Sequence, residues 1–483
     1  MLVGFIVLYL LASIAIGLYA ARRVKNTVDY ALAGRSLPLV VVVATTFATW
    51  FGSESVLGAP GQFLREGEGL GGVVEDPFGA GMCLVLVGLF FARKLYGMNI
   101  ITIGDYYRRR YGRTMEVLCS TIIIISYLGW VGAQVTALGL VFNLLSHGAI
   151  SMPWGMAIGT AVVLVYTLYG GMWSVAWTDF VQMIVIVSGL LAIAWYVSTM
   201  AGGTGVVIEH ASRTGQLRFF PTGGAKEWIF FIGAGITMML GSIPQQDVFQ
   251  RVMSSNNADT ARSGPIIGGL LYIGFAFVPM FIVMAALIVM PGTDAILGDD
   301  PQRLLPRLVM EHMPVALQVA FFGALLSAIM STASATLLAP ATTFVENILR
   351  NLMADMTDGQ TLRAMRICVL VFTLCVLVYS ITMEGSSIYE LVSGAYQVPL
   401  VGAFVPLAFG VYWKRATTQG ALLAVVLGIG VWGVFALTPV LSEAFPQQLA
   451  GVFAAMAGMV LGSLVPQWLP DHTAHAGQYA GAR

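Results

Sequence analysis

Apolar runs long enough to cross a bilayer recur along the whole chain, separated by short polar intervals. A run of about 17–25 apolar residues, wound as an α-helix, spans the hydrocarbon core of a membrane. On that criterion the pattern predicts thirteen helices, at 2–20, 38–62, 77–95, 116–146, 153–170, 173–199, 228–252, 264–290, 314–345, 364–383, 387–412, 417–437 and 448–468. The intervals are short except 200–227, 291–313 and 346–363. The expectation is an all-α polytopic membrane protein, with a single transmembrane domain over 1–469 and a polar, disordered tail over 470–483.

Two of these runs break their own pattern. The second contains Thr49-Trp50-Phe51-Gly52-Ser53-Glu54, a glycine and a carboxylate where an unbroken helix would carry Leu or Ala, with Gly58 and Pro60 after it. The seventh, five runs later, contains Gly233, Gly235, Gly241 and Pro244. Proline inside a helix removes a backbone hydrogen bond and clashes with the turn before it. Either break alone is compatible with a kinked packing helix. Two at corresponding places point to a transport site near the membrane midplane, where unwound backbone offers free carbonyls and amides. Glu54 adds to this, because an acidic side chain at such depth costs about 2.5–3.5 kcal/mol and needs a polar interior.

The ninth run is unusual in its hydroxyls: Ser327, Ser331, Thr332, Ser334, Thr336, Thr342 and Thr343. At helical spacing Ser327, Ser331 and Ser334 share a stripe, and Ala328, Thr332 and Ala335 form the next one. Small residues permit close helix contact, and Ser or Thr can return a hydroxyl to a carbonyl one turn back. A hard monovalent cation would also want several such oxygens. The pattern leaves both readings open.

Composition agrees with the membrane assignment. Of 483 residues 58% are hydrophobic and 10% are charged, too few charges for a soluble surface. Net charge is zero, which argues against a nucleic-acid partner. The four cysteines lie in apolar runs without CxxC spacing, and the five histidines form no HExxH, so neither a metal centre nor an intramembrane enzyme is expected. No Walker motif suggests ATP use. Placing the N-terminus outside puts 18 of the 24 Lys and Arg residues, Arg251 included, in cytoplasmic loops and leaves six outside. That bias supports the span count, a cytoplasmic C-terminus and a plasma membrane location, with the bacterial inner membrane compatible.

Four segments carry a family likeness: AGRSLPLVVVVATTFATWFG, YTLYGGMWSVAWTDFVQ, IPQQDVFQRVMSS and LSAIMSTASATLLAPATTFVENI. Through them the chain resembles the sodium:solute symporter family. The resemblance implies a leucine-transporter-type inverted-repeat core of five plus five helices over about 38–412, with one extra N-terminal and two extra C-terminal helices. It also implies Na+ as the coupling ion and no cofactor. In that pattern the sodium ligands fall on the carbonyls of Ala48 and Phe51, on Ala328, and on the hydroxyls of Ser331 and Thr332. Asp179, in the WTD motif, is linked to ion release or to a second ion. The second-ion hydroxyl positions are Ser334 and Ala335, so one of those oxygens is missing.

Within the family the sequence is most similar by eye to the choline-transporter branch, through ATWFG, WVGAQVTALG, IPQQDVFQRV and SAIMSTAS. Trp50 and Trp130 match aromatic positions of its choline cage, and Gly241 and Gln245 fall in the corresponding part of the seventh run. The departures are Gln245 for a tryptophan, Ala80 for a tyrosine, and Glu54 for a glycine. These imply a sodium-coupled importer of a small amine, a choline- or betaine-like solute, or an amino acid, working by alternating access in the lipid bilayer without an obligate protein partner. A transporter-like sensor or a sodium-independent facilitator is the alternative.

Overall fold

The computed structural model describes residues 2–65, 69–290, 300–353 and 355–470; their regular elements are helices, joined by turns and loops, with one isolated bridge between Leu37 and Ser255. Ten helices are long and apolar enough to cross a membrane, and two bent pairs add two further spans. One of the ten, Met152–Met200, has 49 residues. At about 1.5 Å per residue it is over twice a bilayer core in length. Gly171 breaks it at φ +49°, and a Cβ there would lie 2.3 Å from the Tyr30 carbonyl oxygen. It therefore holds two spans, which makes thirteen, as the periodicity predicts.

The two bent pairs are the second span, Leu39–Trp50 with Glu54–Phe63 at 56°, and the seventh, Ala225–Gly241 with Gln246–Ser254 at 45°. Their adjoining ends are tied on the C-terminal face of the bundle, where Leu37 N–H donates to Ser254 O and Asn256 N–H donates to Leu37 O, both at 3.0 Å. The third span is longer than expected. It runs Gly69–Tyr96 rather than 77–95, and brings Glu75 and Asp76 inside the bundle. Its glycines and two acids had broken the apolar run on which the expectation rested. The tail over 470–483 lies, beyond Pro470, outside the described residues.

The ninth span, whose first helix is Val315–Phe344, sits at the centre, packed against the second, fourth, fifth, sixth and tenth spans and the second half of the seventh. Its residues from Phe321 to Thr343 are all buried. Lipid-facing side chains such as Val3, Leu8, Trp195, Val378 and Leu461 lie on the periphery. The last two spans, Thr418–Leu437 and Gln447–Leu464, pack mainly on each other beside the eleventh.

Candidate ion and solute site

The second span stops being helical after Trp50. Phe51 takes φ −94°, ψ 70°, and a π-helical turn, Glu54–Gly58, follows. Carbonyls just before this break turn toward the ninth span. Ser331 Oγ donates to the Ala48 carbonyl and reaches Ala328 O at 3.3 Å, and Thr332 Oγ1 donates to Thr49 O at 2.7 Å. The structure thus brings Ala48, Ala328, Ser331 and Thr332 together, with Phe51 at the break beside them. It adds the Thr49 carbonyl, which the sequence did not single out.

The other hydroxyls of the ninth span return to their own helix, although Ser327 also bonds the Tyr9 hydroxyl and Thr342 also accepts from Gln250 Nε2 at 3.4 Å. Ser327 donates to Gly323 O at 2.6 Å, Ser334 to Ser331 O at 3.0 Å, Thr336 to Thr332 O at 2.7 Å, and Thr342 and Thr343 to Leu338 O and Ala339 O at 3.0 Å. Ser331 and Thr332 are the pair that donates across to backbone carbonyls of the second span.

One turn back along the second span, Asp179 Oδ2 accepts from the hydroxyls of Thr45 and, at 3.2 Å, of Thr49. Arg251 stands 3.9 Å from the same oxygen, donates to Thr45 O at 3.2 Å and to Asp247 O at 2.6 Å, and bonds the Thr49 hydroxyl. Here the loop assignment of Arg251 is corrected: it is 1% exposed and belongs to the core. The second half of the seventh span extends as a helix to Ser254, and that carries Arg251 inward.

On the other side of the break lies an aromatic and acidic wall. Trp50 meets Trp130 edge-on at 5.6 Å between centroids, Tyr396 stacks on Trp50 at 6.1 Å, and Tyr127 stacks on Trp130 at 6.1 Å. Glu54 accepts from Trp130 Nε1 at 3.1 Å and Gln134 Nε2 at 2.7 Å, and Gln134 Oε1 accepts the Ser53 amide at 2.9 Å. Gly52 is required at this crossing. A Cβ there would lie 2.6 Å from both Glu54 Oε2 and Thr332 Oγ1, closer than real Cβ contacts come. Gly52 therefore joins the ion side to the acidic wall.

Gln245 follows the bend at Pro244, donates to Ser126 Oγ at 2.8 Å, and keeps a buried Oε1 without a hydrogen-bond partner. The Tyr396 hydroxyl is likewise buried and unpartnered. A Cβ on Gly241 would sit 2.4 Å from Tyr396 O, so this glycine sets the approach of the eleventh span rather than facing the wall. Buried polar atoms are normally paired, and such orphans mark where a ligand's groups belong. Sequence reasoning missed Gln134, Tyr396, Asp247 and Arg251. Asp247 and Arg251 both fall within the predicted run 228–252, and their place inside an apolar run was the signal that they are buried.

Two broken spans meeting a central hydroxyl-bearing helix at a buried polar centre define a secondary transporter. The profile of the Sodium:solute symporter family matches residues 30–428, and the chain belongs to that family. It is 27% identical over 445 residues to the high affinity choline transporter 1 of Homo sapiens, covering 89% of this chain and 75% of that one. It is 25% identical over 479 residues to the high-affinity proline transporter PutP of Bacillus subtilis, covering 94% and 97%. Among solved structures it is similar to a substrate-bound, outward-open Na+-coupled sialic acid symporter, with TM-score 0.83, 19% identity and 97% and 98% coverage. MhsT in complex with L-phenylalanine shares the fold at TM-score 0.56, 15% identity and 88% and 97% coverage. The fold is the leucine-transporter type, and the protein is a Na+-coupled symporter of small solutes that works by alternating access.

Proposed function

We propose that this symporter imports a small amine, choline- or betaine-like solute, or amino acid, with Na+ held by the carbonyls of Ala48 and Phe51, by Ala328 and by the hydroxyls of Ser331 and Thr332. The observation that carries the ion assignment is the crossing of Ser331 and Thr332 onto the carbonyls of Ala48 and Thr49. A cation there takes the hydroxyl and carbonyl lone pairs together and bridges the second and ninth spans. Binding sodium first orders the broken helix, and that sets Trp50 and Glu54 for the solute. Asp179, with Arg251 beside it, lies on the exit side of the ion, where an ion leaving toward the C-terminal face meets a carboxylate. Ser334 spends its hydroxyl on Ser331 O and stands next to Ala335, so the reading is one Na+ at this place.

The solute is placed against Trp50, Trp130, Glu54 and Gln245, with Gly241 holding the eleventh span and its Tyr396 in position. Indole is the strongest ring for a cationic head, worth about 2 kcal/mol when water is excluded. The proposed orientation puts the N-terminal face outside the plasma membrane and the C-terminus in the cytoplasm. One charge crossing 100 mV supplies about 2.3 kcal/mol, and a tenfold sodium gradient adds about 1.4 kcal/mol. Together they concentrate a neutral solute several hundredfold, on the order of 10².

Thermal stability of the purified protein, screened against amines, amino acids, carboxylates and sugars with and without sodium, tests the reading. A ligand that binds only the folded state raises its stability. Stabilisation by an amine or amino acid that requires sodium supports it. Stabilisation by any solute to the same extent without sodium contradicts it.

A further inference from the structure

Two acids outside the proposed site, Glu75 and Asp76, lie on the segment Val74–Gly79 of the third span, where Asp76 leaves helical geometry at φ −135°, ψ 119°. Both are buried, as is Glu54. Asp76 lies within electrostatic range of both other carboxylates. Tyr272 ties it to the break of the second span: its hydroxyl bonds Asp76 Oδ1 and stands 2.8 Å from Ser55 Oγ. Ser393 donates to Glu75 Oε2 at 2.8 Å.

Among the described residues no Lys or Arg forms an ion pair with any of the three, and the buried Arg251 is committed to Asp179 and the Asp247 backbone. Their partners are neutral donors: Trp130, Gln134, Tyr272 and Ser393. Two oxygens remain, Glu75 Oε1 and Asp76 Oδ2, both buried and without a hydrogen-bond partner. Carboxylates buried in a membrane mark a function, and their complement here is positive and must bring hydrogen-bond donors.

The kind of cation follows from the arrangement. Among the described residues no three acidic, His or Cys side chains converge as a metal site would require. The acidic groups are instead neighbours in sequence and space, with Asp76 in electrostatic range of both Glu75 and Glu54, and Glu54 touches the indole of Trp130. Glu390 lines a cavity of about 390 Å³ with Gly58 and Arg65, and Ser393, the partner of Glu75, lies one helical turn further along.

We propose that Glu75 and Asp76, together with Glu54, form an acidic subsite that takes the N–H-bearing ammonium end of an organic cation, whose apolar body lies against Trp50 and Trp130. This rests on the symporter reading above and narrows its solute to primary or secondary amines carrying net positive charge. A quaternary ammonium has no N–H to give the orphan oxygens. A zwitterion brings a carboxylate into an acidic pocket.

The test is thermal stability of the purified full-length protein in sodium, titrated with ethanolamine, choline, glycine betaine and proline, on the wild type, Asp76→Asn and Glu75→Gln. Ethanolamine should bind about tenfold or more tighter than the other three, as expected for a charge-assisted hydrogen bond. Each variant should weaken ethanolamine by a similar factor, while stabilisation by sodium alone stays unchanged, which also shows that the variant is folded. Choline, betaine or proline binding as tightly as ethanolamine overturns the proposal, as does ethanolamine binding that survives both substitutions or is absent in the wild type. Loss of sodium and ethanolamine binding in step also overturns it, because the acids would then belong to the ion site. Failure of sodium alone to stabilise the wild type contradicts the underlying symporter reading instead.

Discussion

Thr332 Oγ1 donates to the carbonyl oxygen of Thr49 at 2.7 Å, across 283 residues of chain. The bond joins the central ninth span to the last helical turn before the second span breaks, and Ser331 makes the parallel contact to Ala48. On the proposed ion assignment, removing the Thr332 hydroxyl takes away one ligand. Thr332→Ala should raise the sodium concentration for half-maximal uptake about tenfold, equivalent to about 1.4 kcal/mol. Thr332→Ser keeps the oxygen and should restore most of the loss. Sodium activation curves in proteoliposomes check both.

Gly52 touches both sides of the site, so its substitution should injure both. With Glu54 Oε2 and Thr332 Oγ1 each 2.6 Å from the place a methyl would occupy, Gly52→Ala has no free volume to use. Overpacking of this kind costs about 1–3 kcal/mol. Sodium and solute half-saturation should rise together in this variant, whereas Thr332→Ala raises chiefly the sodium term.

Much of this was legible in the sequence. The breaks at Gly52 and Pro244, Glu54 between them, and the adjacent hydroxyls of Ser331 and Thr332 are local signals, and periodicity alone gives thirteen spans. What periodicity cannot give is partnership. Gln134 reaches Glu54, and Tyr272 reaches Asp76 across 196 residues, only because separate helices pack side by side. Glu75 and Asp76 were lost for a second reason. A hydropathy run ends where charges begin, so charged residues that belong inside a bundle are read as loop. Arg251 was misplaced for a different reason: it fell at the last turn of the predicted run 228–252 and was counted with the loop, whereas the helix continues to Ser254.

Trp50 lies against Trp130 and Tyr396. Trp50→Ala should raise the half-saturating solute concentration by up to about thirtyfold, the equivalent of about 2 kcal/mol of lost burial of the solute's body against the indole. Sodium affinity measured without solute should change much less. Equal losses in both would assign Trp50 a folding role.

Arg251 and Asp179 form a buried pair whose members also bond the second span. Breaking such a pair from one side leaves an uncompensated charge, at about 3–5 kcal/mol. Arg251→Ala should lower the melting temperature and yield of purified protein far more than Ser331→Ala does. Asp179→Asn keeps an acceptor for Thr45 and leaves Arg251 its bonds to the Thr45 and Asp247 carbonyls, so it should lose less stability than Arg251→Ala; it should slow sodium release, read as a lower maximal uptake rate with half-saturating sodium unchanged or reduced.

The central claim is that Na+ binds between the second and ninth spans. Equilibrium binding of radioactive sodium to purified protein, without solute, tests it most directly. Wild type should bind sodium saturably, potassium should not compete, and Ser331→Ala with Thr332→Ala together should abolish saturable binding while the protein remains monodisperse. Saturable sodium binding of unchanged affinity in that folded double variant would contradict the account.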